Sequence, residues 1–285
     1  MAKSKVAIAT DSTSYIPPDL VEQYNIHVIP EILNWEGETY LDDIDIKPTE
    51  FYRRLGTAKE LPTTSQPSAG EFLEFFKKIG ESSDSIVGIF ISDELSGTLD
   101  SATTAKEMLP DFPIEIVDSR SASMGLGFMV LAAARAAEAG LSPVEIARLA
   151  REMVPIVKTI FVVDTLEYLH KGGRIGGAQR LIGSVLSIKP VLHLDDGRIE
   201  PLASIRTKRK AIERVLEIIS EDVAGKGPMH AAVIHAAAPE AAAEFKVQVK
   251  QSLNPVELLV AELSPVVGTH TGPGLVGLGY YCDPV

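Results

Sequence analysis

The chain has 285 residues, of which 45% are hydrophobic and 23% are charged, so it can bury the core of one large or two ordinary domains. Its net charge of −12 argues against nucleic acids and anionic membrane surfaces as main partners. A single cysteine, Cys282, excludes an internal disulfide and fits a reducing, cytoplasmic location. The longest apolar stretch, residues 124–134, is shorter than the ~20 residues that span a bilayer, so no stable membrane insertion is expected.

In the first half of the chain, short apolar strands alternate with amphipathic helices, which is typical of a parallel sheet covered by helices. A hairpin interrupts this alternation at residues 32–41, around Glu36-Gly37. Capping boxes at Ser68-Ala69-Gly70-Glu71 and Ser142-Pro143-Val144-Glu145 mark the starts of two helices. The other predicted strands of this half are 6–9, 26–29, 86–91 and 114–117, and the helices begin near residues 18, 48, 69, 99, 124 and 143.

Hydroxyl-rich loops follow three of these strands, at residues 10–14, 92–98 and 118–123. Because the carboxyl ends of parallel strands share one edge of a sheet, the loops are expected to line a common pocket. An alternative for the loop at 10–14 is that its side chains satisfy only their own backbone, as Asx and Ser/Thr turns do.

The middle loop contains Ser96-Gly97-Thr98 directly before a helix. Two hydroxyl groups, a glycine that permits close approach and the free N–H groups of a helix start together suit a small oxyanion, such as a carboxylate or phosphate. The alternative is that Ser96 merely caps the helix, since serine is a preferred N-cap.

The segment 61–67 is predicted to be irregular, because Pro62 and Pro67 bracket it and no apolar period survives. It presents Thr63, Thr64, Ser65 and Gln66 ahead of a helix start. The segment is either a further part of the pocket or a linker that has no role in binding.

The second half of the chain predicts a different α/β domain, which we place at residues 158–285 after an N-terminal domain at 1–157. Strands at 188–194 and 199–205 flank Asp195-Asp196-Gly197, a strong hairpin signal, so the second sheet is expected to be mixed. The other predicted elements are strands at 159–163, 231–235, 258–262 and 276–281 and helices at 164–169, 206–221 and 239–253.

Three loops of this half carry candidate chemistry. The glycine-rich stretch 171–177 offers Lys171 and Arg174 to an anion, although it lacks the spacing of a P-loop, and a plain glycine-rich corner is the alternative. The basic run 206–210 is either a solvated face or a docking surface for an acidic partner. His270, in the predicted irregular loop 264–274, can be structural, bind a carboxylate or move a proton.

No His-Glu-x-x-His motif and no cysteine pair suggests zinc, and Gly-x-Ser-x-Gly is missing. A serine triad assembled in space from Ser96, His270 and an aspartate stays open, which would make the protein a hydrolase or acyltransferase.

Taken together, the motifs resemble those of the DegV family along essentially the whole chain. The matching segments, in order, are Thr10-Asp11-Ser12-Thr13, Thr64-Ser65-Gln66-Pro67-Ser68, Leu95-Ser96-Gly97-Thr98, Val117-Asp118-Ser119, Ala122-Ser123-Met124-Gly125-Leu126-Gly127, Lys171-Gly172-Gly173-Arg174-Ile175-Gly176 and Gly272-Pro273-Gly274. Tyr15 and His170 depart from the family, where an acid and a lysine are frequent, without touching these segments.

This resemblance implies a cytoplasmic, non-catalytic carrier that holds a long-chain fatty acid such as palmitate between two α/β domains. In bacteria such carriers present the acyl carboxylate to a separate, dihydroxyacetone-kinase-like, ATP-using subunit that forms acyl phosphate. No metal or cofactor is implied. The carboxylate-binding positions fall on Thr64, Ser96 and His270, supported by Ser65, Gly97 and Thr98, and the kinase-contact positions fall on Arg174 and Arg206.

For the apolar sleeve around the fatty acid tail, the sequence gives only guesses. They are Leu99, Met124, Leu126, Phe128 and Ile188.

Overall fold

A computed structural model describes residues 5–183 and 188–284. Residues 1–4 and 285, which the predicted domain boundaries include, lie outside this part. The strands are β1 Val6–Asp11, β2 His27–Ile29, β3 Ile32–Trp35, β4 Glu38–Leu41, β5 Thr63–Ser65, β6 Ser85–Phe90, β7 Ile114–Asp118, β8 Lys158–Val162, β9 Lys189–Asp195, β10 Arg198–Ile205, β11 Met229–His235, β12 Glu257–Glu262 and β13 Val276–Cys282. The helices are α1 Pro18–Gln23, α2 Pro48–Leu55, α3 Ala69–Gly80, α4 Thr98–Glu107, α5 Met124–Glu138, α6 Pro143–Met153, α7 Glu167–Lys171, α8 Lys208–Val223, α9 Pro239–Leu253 and α10 Pro265–Thr271, with 3₁₀ turns at Ser12–Ser14 and Gly176–Leu181.

The first half forms a four-stranded parallel sheet in the order β2-β1-β6-β7, which confirms the predicted α/β class. Alternate residues of the central strand β6 enter different cores, as expected for a strand buried on both faces. Ile86 and Phe90 pack in one core with Phe72 and Ala102 of α3 and α4, whereas Val87 packs in the other core with residues of α5 and α6.

The second half forms a mixed six-stranded sheet in the order β10-β9-β8-β13-β11-β12, as the hairpin signal predicted. Its neighbours are antiparallel except for β11 and β12. Helices α8 and α9 cover one face through Val215 and Phe245. On the other face Phe161 and Ile234 join the core that contains α5. The predicted boundary at residues 157/158 falls between α6 and β8 and stays a prediction.

Two segments predicted to be irregular are in fact ordered. Residues 63–65 form β5, which pairs with β3 to extend the hairpin into a three-stranded sheet. Residues 265–271 form α10, which begins at Pro265 and ends at Gly272. The first error arose because β5 depends on a partner about 30 residues away in sequence, whereas Ser264-Pro265 is a helix start of the kind used correctly at Ser142-Pro143.

Helix capping is confirmed at Ser68 and Ser142, where both halves of each capping box form. It is wrong for Ser96, because Gly97 is the N-cap of α4 and the helix start has no side-chain cap. The Ser96 hydroxyl therefore does not cap the backbone of α4.

Close packing of β13 on β8 predicts a large effect of one glycine. A Cβ at Gly277 would lie 2.5 Å from the Ile160 carbonyl oxygen and 2.6 Å from Phe161 Cβ. Because backbone must move to make room, we expect Gly277→Ala to lower the free energy of unfolding by about 1–3 kcal/mol. Gly70→Ala is the matched control, since a Cβ there meets nothing closer than 3.8 Å. Equal urea midpoints for the two variants would contradict this packing.

Candidate functional site

A cavity lies where the carboxyl edge of the parallel sheet meets the mixed sheet, β5 and α10. Its apolar lining comes from both halves of the chain: Ile91, Leu95, Ala122, Phe161, Leu169, Leu194, Ile199, Ile234, Leu263, Val266, Val267 and Leu275. Its polar lining is Thr13, Glu31, Thr64, Ser65, Gln66, Ser96, Ser123, Thr159, Arg174, His270 and Thr271.

Thr64 and His270, predicted to lie in separate loops, meet in this cavity. Strand β5 presents Thr64 and helix α10 presents His270, and Thr64 Oγ1 lies 2.8 Å from His270 Nε2. The pairing of β5 with β3 therefore fixes the position of Thr64, and the start of α10 fixes that of His270. Asp42 holds this start, because its carboxylate accepts hydrogen bonds from the Val266 N–H (3.0 Å) and Ser264 Oγ (2.6 Å).

The loop before α4 supplies a second group of hydroxyls. Ser96 lines the cavity, and its Oγ lies 2.8 Å from Thr98 Oγ1. Thr98 Oγ1 in turn lies 2.6 Å from a carboxylate oxygen of the buried Glu31. A Cβ at Gly97 would lie 2.8 Å from Gln66 Nε2, so this glycine permits close packing against the segment that carries Thr64 and Ser65.

Arg174 connects these two groups. Its Nε donates to the Leu95 carbonyl oxygen at 3.1 Å, next to Ser96, and Nη1 donates to the Gly172 carbonyl oxygen at 2.9 Å. Gly172 packs directly against His270, because a Cβ there would lie 2.2 Å from His270 Nδ1. The guanidinium therefore lies in the cavity wall and places a positive charge near the hydroxyl groups.

His270 is neutral at pH 7. Burial first, and then the nearby positive charge of Arg174, lowers its pKa to about 4. Its hydrogen bond goes to Thr64, and Ser96 is bonded to Thr98 instead. Within residues 5–183 and 188–284, Ser96 and His270 share no hydrogen bond, so no observation favours the serine-triad alternative.

The apolar wall is formed by residues other than those guessed from the sequence. Met124, Leu126 and Phe128 are buried in the core between the sheets, and Leu99 packs against the core beneath α3 and α4. Ile188 lies with Arg206 at a separate surface depression. None of the five guessed residues is among the described residues that line this cavity, because apolar character shows that a side chain is buried but not against what.

Arg206 is exposed and lies between β10 and α8, away from the cavity lining. No ion-pair partner for it is present in the described part of the chain. Of its neighbours, Lys208 pairs with Asp164 and Arg209 pairs with Glu213. The guanidinium of Arg206 is therefore not neutralised by any of the described acidic side chains.

Sequence reasoning missed Glu31, which lines the cavity, and Asp42, which holds the start of α10. Nothing in the local sequence marks Glu31 or Asp42, because each meets its partners only through the fold. The described residues contain no group of three or more His, Cys, Asp or Glu side chains arranged to hold a metal ion. Over the same residues, no helix has the length and apolar character needed to cross a bilayer.

Known proteins of similar sequence and structure match almost the whole chain. A family model described as "Uncharacterised protein, DegV family" matches residues 5–283. Protein DegV of Bacillus subtilis is 39% identical over 274 residues, covering 96% of this chain and 98% of that protein.

Two solved structures have the same fold. One, described as fatty acid binding of a DegV family protein from Thermus thermophilus, is 36% identical with a TM-score of 0.94, covering 98% of this chain and 100% of that one. The other, described as Bacillus subtilis DegV, a fatty acid binding protein, is 38% identical with a TM-score of 0.90 and the same coverage. This chain therefore belongs to the DegV family.

Proposed function

We propose that the protein binds one long-chain fatty acid in the cavity and presents its carboxylate to a separate ATP-dependent kinase subunit, which forms the acyl phosphate. The carrier itself performs no chemistry in this proposal. Fatty acid binding is the property for which the solved relatives from Thermus thermophilus and Bacillus subtilis are described.

The observation that supports this most is the combination of hydroxyl groups with apolar walls in one cavity. A carboxylate buried without donors would cost several kcal/mol or take up a proton. Each buried methylene contributes roughly 0.8 kcal/mol, so a tail of about 16 carbons gains ~10 kcal/mol before the cost of association.

In this proposal Ser96 and Thr64 donate hydrogen bonds to the carboxylate, and His270 orients the Thr64 hydroxyl through their 2.8 Å contact. Arg174 adds positive charge from the cavity wall. Ser65, Gly97 and Thr98 shape and support this end of the cavity. Arg206, which is exposed and has no ion-pair partner within the described part of the chain, contacts an acidic group of the kinase subunit.

Gentle purification followed by solvent extraction and mass spectrometry tests the proposal. We expect close to one fatty acid per chain, and added palmitate should bind to delipidated protein. If no acyl chain is recovered and added fatty acid does not bind, the proposal is wrong.

The ring of His270 gives a second prediction. A carboxylate beside an imidazole favours its charged form, so fatty acid binding should raise the pKa of His270 from about 4. NMR titration of the ring protons measures this shift in free and loaded protein. His27, half-buried on β2 and outside the cavity lining, is the control whose pKa should stay unchanged. If the pKa of His270 is the same in free and loaded protein, the fatty acid carboxylate does not lie beside this imidazole.

A further inference from the structure

Glu31 is a buried acid at the far end of a row of three oxygen-bearing side chains. It lies between β2 and β3 and is 2% exposed. One carboxylate oxygen lies 2.6 Å from Thr98 Oγ1, which lies 2.8 Å from Ser96 Oγ. Glu31 and Ser96 both line the cavity. The row therefore connects a buried carboxyl group to the hydroxyl that would meet the ligand.

The surroundings of Glu31 disfavour its charged form. Burial raises its pKa well above the ordinary value, and the carboxyl groups of Asp11 on β1 and Asp42 after β4 add to the rise. The cations that line the same cavity are Arg174 and, when protonated, His270. Across the described ranges, no Lys, Arg or His side chain forms an ion pair with Glu31.

Counting protons along the row shows why the state of Glu31 matters. A hydroxyl has one proton to donate, and an ionised carboxylate only accepts. If Glu31 is ionised, Thr98 must donate to it and Ser96 then donates to Thr98, so Ser96 offers the ligand only lone pairs. If Glu31 carries a proton, it donates to Thr98, Thr98 donates to Ser96, and the Ser96 proton is free for the ligand.

We propose that Glu31 is held as the neutral acid and acts as the positioning residue that directs the Ser96 hydroxyl toward the fatty acid carboxylate. This inference rests on the proposed function. Its consequence is that the cavity accepts the ionised form of the fatty acid, the form in which a carboxylate oxygen is available as a nucleophile. Ionisation of Glu31 reverses the row, turns the Ser96 lone pairs toward the carboxylate and adds a second negative charge nearby.

The test combines a spectroscopic and a binding measurement on the full chain, with palmitate as the ligand. Carbon-13 labelling of glutamate carboxyl groups reports which glutamates are neutral, and the Glu31→Gln variant identifies the signal of Glu31. The variant is also the functional control, because its amide donates to Thr98 and cannot ionise. Palmitate affinity is measured for both proteins from about pH 6 to about pH 9, where an ordinary glutamate is charged.

We expect the wild-type protein to show a neutral glutamic acid signal at pH 7 that the Glu31→Gln variant lacks. At each pH at which this signal is present, the palmitate affinities of the two proteins should agree within about threefold. Wherever it is lost, the wild type should bind about tenfold more weakly or worse, since a carboxylate facing lone pairs loses a charged hydrogen bond.

Three results would overturn the inference. The first is that the neutral glutamic acid signal is absent from the wild type at pH 7. The second is that the wild type and Glu31→Gln differ in palmitate affinity at a pH where the signal is present. The third is that their affinities are equal at a pH where the signal is lost. If the variant does not fold, the wild type alone still decides: the inference fails if no neutral glutamic acid signal is present at pH 7, or if palmitate affinity does not fall over the pH range in which that signal is lost. If the wild type binds no palmitate at any pH, the proposed function fails instead, while the state of Glu31 can still be measured.

Discussion

Replacing Thr64 by valine and Ser96 by alanine together is expected to weaken fatty acid binding by about 100-fold or more. Each change removes a hydrogen bond to a charged carboxylate, and such bonds contribute about 1.5–3 kcal/mol each, where 1.4 kcal/mol is a factor of ten. Valine has nearly the same shape as threonine, so the loss of affinity should come from the missing hydroxyl group and not from altered packing. Displacement of a fluorescent fatty acid measures the affinity.

The matched control is the double variant Ser101→Ala and Thr103→Val. Both residues lie on α4, close to Ser96 in sequence but outside the cavity lining. It should bind fatty acid as the parent does. Equal affinities for the two double variants would show that Thr64 and Ser96 do not hold the carboxylate.

Arg206→Ala should leave fatty acid bound but reduce acyl-phosphate formation by the cognate kinase subunit by about tenfold. A free charge at the edge of an interface acts mainly on the association rate, so the loss should shrink as salt is added. Single-turnover assays with loaded carrier at several salt concentrations measure this. Arg148→Ala, which removes an exposed arginine paired with Glu152 on α6, is the control.

Unchanged kinase rates for Arg206→Ala would remove this residue from the docking surface. Arg174 is a different case, because its side chain lies in the cavity wall and bonds the Leu95 carbonyl oxygen. Arg174→Ala is therefore expected to weaken fatty acid retention as well as acyl-phosphate formation. If the variant retains fatty acid as well as the parent does, Arg174 contributes only to docking of the kinase subunit.

Local signals in the sequence were sufficient for most of the fold. The apolar run of β6 and the Asp-Asp-Gly turn between β9 and β10 were each interpreted correctly. Sheet order and the strand β5 were not predictable in this way. Thr64 pairs with Leu33 of β3, which is about 30 residues away in sequence. Pro62 and Pro67 on either side of β5 are typical of a loop, so the local sequence does not indicate a strand.

The sequence predicted only some residues of the candidate site, because contacts between residues distant in sequence leave no local signal. Thr64, Ser96 and His270 were noted as polar residues of loops and were selected as carboxylate-binding positions through the resemblance to the DegV family, and the structure brings all three to one cavity. Their roles toward a ligand stay predictions. Glu31 was missed because its 2.6 Å contact with Thr98 joins residues 67 positions apart.

The most direct test is a crystal structure of the protein loaded with palmitate. The account predicts the carboxylate within hydrogen-bond distance of Thr64 Oγ1 and Ser96 Oγ, with the tail against Phe161, Ile234 and Leu263. A palmitate bound with its carboxylate away from both hydroxyls, or bound outside this cavity, would contradict it.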